Sequence, residues 1–82
     1  MKKECESLSN SVEASLDKFF RMHAGDSPES GLYERVINEV ERSLIKKTLQ
    51  HVGGVQVKAS KILGINRNTL RKKIKELAIS EN

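Results

Sequence analysis

Residues 56–75, QVKASKILGINRNTLRKKIK, constrain this chain most. They hold Lys58, Lys61, Arg67, Arg71, Lys72, Lys73 and Lys75 with no Asp or Glu among them. Gly64 divides the stretch into a short first segment and an amphipathic second one, in which Leu70, Ile74 and Leu77 recur at helical spacing. Glycine at the junction supplies a positive φ without steric cost, and Asn66 is a good N-cap for the second segment. Two short helices joined by a tight glycine turn, the second densely basic, have the sequence form of a helix-turn-helix.

The chain before this stretch predicts two further helices. Asn10 is a cap candidate with Glu13 three residues later. Val12, Leu16, Phe19 and Phe20 then recur at helical spacing, predicting a helix over 11–23 with Gly25 as its terminator. The two Phe side chains read as packing groups rather than a base-stacking platform, because no basic residues or strands interleave with them. Residues 1–10 read as a flexible polar leader. Asp26-Ser27-Pro28-Glu29 carries a helix start signal. Leu32, Val36, Ile37, Val40, Leu44, Ile45, Leu49 and Val52 keep a 3.6-residue period, predicting a long helix over 31–52 that Gly53-Gly54 ends.

The expected architecture is therefore all-α, with four helices. Residues 11–52 form two dimerisation helices and residues 55–77 the helix-turn-helix, within one domain over 11–82. In the third helix, 55–63, Ala59 and Ser60 suit a close helix crossing, while Ile62 and Leu63 are expected to supply apolar contact and Ile65 to plug the turn. Ala78-Ile79 is expected to pack back on the fourth helix, 67–77.

The apolar stripe of the long helix widens at Leu32/Tyr33, Val36/Ile37 and Leu44/Ile45, more than one neighbour requires. With 82 residues, a monomer core is marginal, and a second copy is a natural way to complete it. Val12, Leu16, Phe19, Phe20, Leu32, Tyr33, Val36, Ile37, Val40 and Leu44 are thus expected at a homodimer interface. The alternative is a monomer whose helix-turn-helix covers the stripe.

Charge divides the chain in the same place. Residues 1–41 carry five Lys/Arg against nine Asp/Glu, and residues 42–82 carry ten against two. That asymmetry suggests a front half for assembly and a back half facing a polyanion. On the fourth helix, Asn66, Arg67 and Asn68 occupy the first turn, from which a recognition helix reaches base edges. Arg bridges guanine O6 and N7, and Asn pairs bidentately with adenine. Thr69, Arg71, Lys72, Lys73 and Lys75 are placed for phosphates, with Gln56, Lys58 and Lys61 beside a neighbouring backbone segment.

Other classes find little here. Cys5, His23 and His51 lack metal-ligand spacing, and no glycine-rich phosphate loop or G-x-S-x-G motif is present. No enzyme activity, cofactor or metal is expected. A lone cysteine fits a reducing compartment, and no apolar run reaches the roughly 20 residues that span a bilayer. The rival reading is an interaction module whose basic amphipathic last helix binds an acidic protein or an anionic membrane surface.

Gly64 to Leu77, GINRNTLRKKIKEL, closely resembles the recognition region of the Fis-type helix-turn-helix family. That family includes the bacterial nucleoid protein Fis and the C-terminal domains of NtrC-class transcriptional activators. The likeness extends through GLYERVINEVERSLIKKTL, Gly31 to Leu49, and more loosely to Ser15–Phe20. It implies a transcription regulator of the bacterial cytoplasm and nucleoid: an all-α homodimer with a helix-turn-helix at each end and DNA bent to meet both. By position it implies base-edge contacts from Asn66 and Arg67, and backbone contacts from Thr69, Arg71, Lys72 and Lys73. Val55 and Val57 stand where Fis has polar residues, and Asn68 where Fis has Gly. The resemblance leaves open a free-standing protein, which the starting Met favours, or the end of a larger activator that meets the RNA polymerase machinery.

Overall fold

A computed structural model describes residues 2–22 and 31–80, and it contains four helices and no strand among them. They are α1 (Lys2–Met22), α2 (Leu32–His51), α3 (Gln56–Leu63) and α4 (Arg67–Glu76). The chain divides into two compact units, one holding α1 and the other α2, α3 and α4.

In the first unit, α1 begins nine residues before the expected start. The stretch expected as a flexible leader is helical, and Asn10 lies inside the helix rather than capping it. The physical reason is local. Lys2 to Asn10 contains no Gly or Pro, Glu4 sits favourably in the first turn, and Leu8 continues the stripe of Val12, Leu16 and Phe19 one turn upstream. Val12, Leu16 and Phe19 are half-buried, and the Phe19 and Phe20 rings meet edge to face at 5.5 Å. Gly25 and the Asp26–Glu29 start signal lie outside the described residues.

In the second unit, Gly31 precedes α2 in a left-handed conformation, and its carbonyl accepts from Arg35 N. The far end of α2 stops at the glycine pair. Gly53 and Gly54 both have positive φ, and Gly54 N reaches back to Leu49 O at 2.8 Å. Gly64 performs the same service after α3, with φ +73° and both Gly64 N and Ile65 N donating to Ser60 O. Asn66 caps α4 as expected, its Oδ1 accepting from Asn68 N at 2.7 Å.

Ile45, Leu49, Ala59, Leu70, Ile74, Leu77 and Ile79 form one core, with Val52, Leu63 and Ile65 packed at its margin. α3 packs against both α2 and α4, and the fully buried Ala59 permits the close approach. The two hydroxyl residues buried among the described residues are satisfied locally: Thr48 Oγ1 donates to Leu44 O and Ser60 Oγ to Val57 O. Ile62, expected as a core contact, is instead 59% exposed. It lies on the side of Ala59 away from Ser60 and Leu63, so the helical turn carries it out of the core face.

The apolar stripe of α2 separates into two faces. Ile45, Thr48 and Leu49 are buried in the core, whereas Tyr33 (80% exposed), Ile37 (43%), Val40 (46%) and Leu44 (54%) are open. The latter four are spaced by four, three and four residues, so they fall on one line roughly 100° around the helix from the core face. The helix-turn-helix therefore leaves this line of the stripe uncovered.

Candidate nucleic-acid interface

With Leu70, Ile74 and Leu77 turned inward, the helical repeat exposes Arg67, Asn68, Arg71, Lys72 and Lys75. Asn68, Arg71, Lys72 and Lys75 line one groove with Gln56, floored by Ile74, Ala78 and Ile79. Arg67 and Arg71 line a second with Val55, Gln56 and Val57. Gln56 and Arg71 belong to both, so the N-terminal end of α3 and the outer face of α4 bound one continuous cationic surface.

The helix ends reinforce this sign. The first turns of α1 and α2 carry Glu4 and Glu34, but those of α3 and α4 carry no acid. The partial positive charge at those N-termini is thus not compensated from within, and it adds to the guanidinium groups beside it. Such a surface can hold phosphates through Lys and Arg and present Arg and Asn to base edges.

The remaining expected site residues differ in placement. Thr69 is exposed on α4, while Lys58 and Lys61 are exposed on α3 but line neither groove. Asn66 is exposed, and its side-chain oxygen is engaged in the cap. Lys73 stands apart from its neighbours: half-buried on the α2 side of α4, its Nζ lies 2.9 Å from Glu41 Oε2.

Val57, which the sequence resemblance places with Val55 where Fis has polar residues, shares a groove wall with Val55, Arg67 and Arg71. Two further participants are not evident from the sequence pattern. Glu41 precedes the buried Ile45 by one helical turn, and an acid on the core side of α2 is the available signal that it has a partner. Arg42 Nε donates to Leu77 O at 3.0 Å, and its Nη1 pairs with Glu39.

Among the described residues no group of His, Cys, Asp and Glu could hold a metal ion, and no helix is long and apolar enough to cross a membrane. His23 lies outside the described residues. Cys5 and His51 are exposed.

The profile of the family described as bacterial regulatory protein, Fis family, matches residues 36–77, which include most of α2 and all of α3 and α4. The chain is 51% identical over 74 residues to the DNA-binding transcriptional regulator NtrC of Azospirillum brasilense, covering 90% of this chain and 15% of that protein. It is 44% identical over 73 residues to a putative Fis-like DNA-binding protein of Pseudomonas aeruginosa, covering 89% of this chain and 69% of the relative. DNA-binding protein Fis of Aliivibrio fischeri is 42% identical over 73 residues, with 89% and 74% covered. The chain thus spans about 15% of the NtrC relative and more than two thirds of the Fis-like ones. With the helix-turn-helix, its glycine turn and its cationic outer face in place, the chain belongs to the Fis family of bacterial regulatory proteins.

Proposed function

We propose that this regulator binds duplex DNA as a homodimer and bends it. The chain is a helix-turn-helix DNA-binding regulator of the Fis family. One observation carries the reading of its site: α4 packs one side into the core and offers Arg67, Asn68, Arg71, Lys72 and Lys75 to solvent on the other. Arg67 and Asn68, in the first turn, read base edges. Arg71, Lys72 and Lys75, with Thr69, hold phosphates, and Gln56, Lys58 and Lys61 approach a flanking backbone segment.

The open line of Tyr33, Ile37, Val40 and Leu44 supports self-association, to which Val12, Leu16, Phe19 and Phe20 of α1 contribute together with Leu32 and Val36. The resemblance to the Fis family implies paired recognition helices closer together than one DNA turn, so that a duplex bends to meet both and sequence-dependent flexibility becomes part of the specificity. The protein acts where DNA is, in the bacterial nucleoid. As the end of a longer activator it would deliver that protein to a promoter and to RNA polymerase, a role supported by the identity with NtrC.

Gel-shift titration against a set of duplexes with the binding site circularly permuted tests this directly. Saturable binding with position-dependent mobility is the expected result. Absence of duplex binding, together with co-sedimentation on anionic vesicles, would replace this reading with a membrane-surface module.

A further inference from the structure

The cations of α4 are not equivalent. Arg67, Arg71, Lys72 and Lys75 are exposed and border the two grooves. Lys73 borders neither, and its ammonium is held by Glu41 of α2 at 2.9 Å, with about a third of each side chain exposed. The next residue of α2, Arg42, donates from Nε to the carbonyl of Leu77, just past the last turn of α4. Such terminal carbonyls lack intrahelical partners and accept from outside the helix. Two consecutive side chains of α2 therefore grip α4 at separate points along its length, beside the shared core.

We propose that Glu41 and Lys73 are positioning residues. Their ion pair fixes the rotation of α4 about its own axis relative to α2, and Lys73 makes no phosphate contact. Side-chain tips stand roughly 6 Å from a helix axis, so a rotation of about 20° displaces them by about 2 Å. That is enough to take Arg67 out of bidentate register with a base while leaving exposed lysines near the backbone. The pair thus governs discrimination between sites more than attraction to DNA as such. This inference rests on the DNA-binding reading and assigns its geometry to residues outside the contact surface.

The test uses the whole chain and a duplex that the wild type selects from a randomised library, with a scrambled duplex as reference. Affinities are titrated across salt for wild type, Lys73→Met, Glu41→Gln, Lys72→Ala and the exchanged pair Glu41→Lys/Lys73→Glu. Lys72→Ala is expected to flatten the slope of log K against log salt by about 0.9 for each phosphate no longer neutralised. Lys73→Met and Glu41→Gln are expected to keep the wild-type slope yet each reduce the ratio of selected to scrambled affinity by about three- to tenfold, because a displaced bidentate pair is weakened. The exchanged pair is expected to recover most of that ratio, and circular dichroism monitors folding of each variant.

A slope that flattens in Lys73→Met as it does in Lys72→Ala overturns the proposal. So does a gain of affinity in Glu41→Gln, which would mean that the carboxylate had been withholding Lys73 from phosphate. Where a single variant fails to fold, the exchanged pair decides: a carboxylate at position 73 cannot replace a phosphate contact, so recovery supports positioning and non-recovery overturns it. A wild-type chain that selects no duplex ends the DNA reading itself, a result distinct from any of these.

Discussion

At the scale of single residues, neighbouring positions on α4 are presented differently because the helix turns by about 100° per residue. Arg67 lies in the first turn, beside the uncompensated helix N-terminus and the wall formed by Val55 and Val57. Its fork of donors matches the guanine edge, so Arg67→Ala should cost about 1–3 kcal/mol on a selected site and relax preference at one base pair. Lys72 is a point charge farther along the same exposed side, and its loss should weaken binding to selected and random duplexes alike. Competition titrations with single-base variants of the site separate the two outcomes. Equal losses on all sequences for Arg67→Ala would remove it from base reading.

At the scale of elements, each helix of the second unit ends by an identifiable device, and one of those devices is strained. Leu77 N donates to Lys73 O and Ile79 N to Ile74 O, which brings Ile79 back to the core. The residue between them, Ala78, takes φ +52°, the left-handed position where the helix-stop motif ordinarily has glycine. That conformation costs an L-residue roughly 1–2 kcal/mol, and glycine would return part of the gain as unfolded-state entropy. Ala78→Gly should therefore stabilise the domain by about 0.5–1 kcal/mol, raising Tm by a few degrees at fixed protein concentration. An unchanged or lower Tm would show that this end of α4 relaxes freely. The same locality explains what the sequence makes legible. Gly64 and Asn66 announce the turn and the cap because their roles are written within three residues of each other, and Leu70, Ile74 and Leu77 announce the buried side of α4. The start of α1 is not legible because only Leu8 extends the stripe into residues 2–9, while Asn10 and Glu13 offer a start signal that lies inside the helix. Ile62 is misplaced by pattern because an eight-residue helix, with Val57, Ala59, Ile62 and Leu63 spread around it, gives too little periodic context to fix its buried face. Glu41 and Lys73 lie on different helices, and no local pattern pairs them.

At the scale of the whole molecule, the proposed homodimer makes the open line on α2 the surface that sets how many cationic surfaces one particle presents. Tyr33, Ile37, Val40 and Leu44 are apolar or aromatic, and none belongs to the buried core that holds α2 to the helix-turn-helix. Covering such side chains yields roughly 25 cal/mol for each Å² removed from water, whereas a carboxylate at the centre of the line would have to be buried without a partner. Val40→Glu should accordingly shift the protein toward monomer in sedimentation equilibrium while leaving the fold of α2, α3 and α4 intact by circular dichroism. DNA binding should weaken in step. A monomer brings one set of Arg71, Lys72 and Lys75 to the backbone where a dimer brings two, so the salt slope should fall to about half and bending should disappear. The two readouts discriminate because they depend on different surfaces. A Val40→Glu protein that remains dimeric places the interface elsewhere, and one that becomes monomeric yet keeps the full slope makes a single helix-turn-helix sufficient for the whole contact.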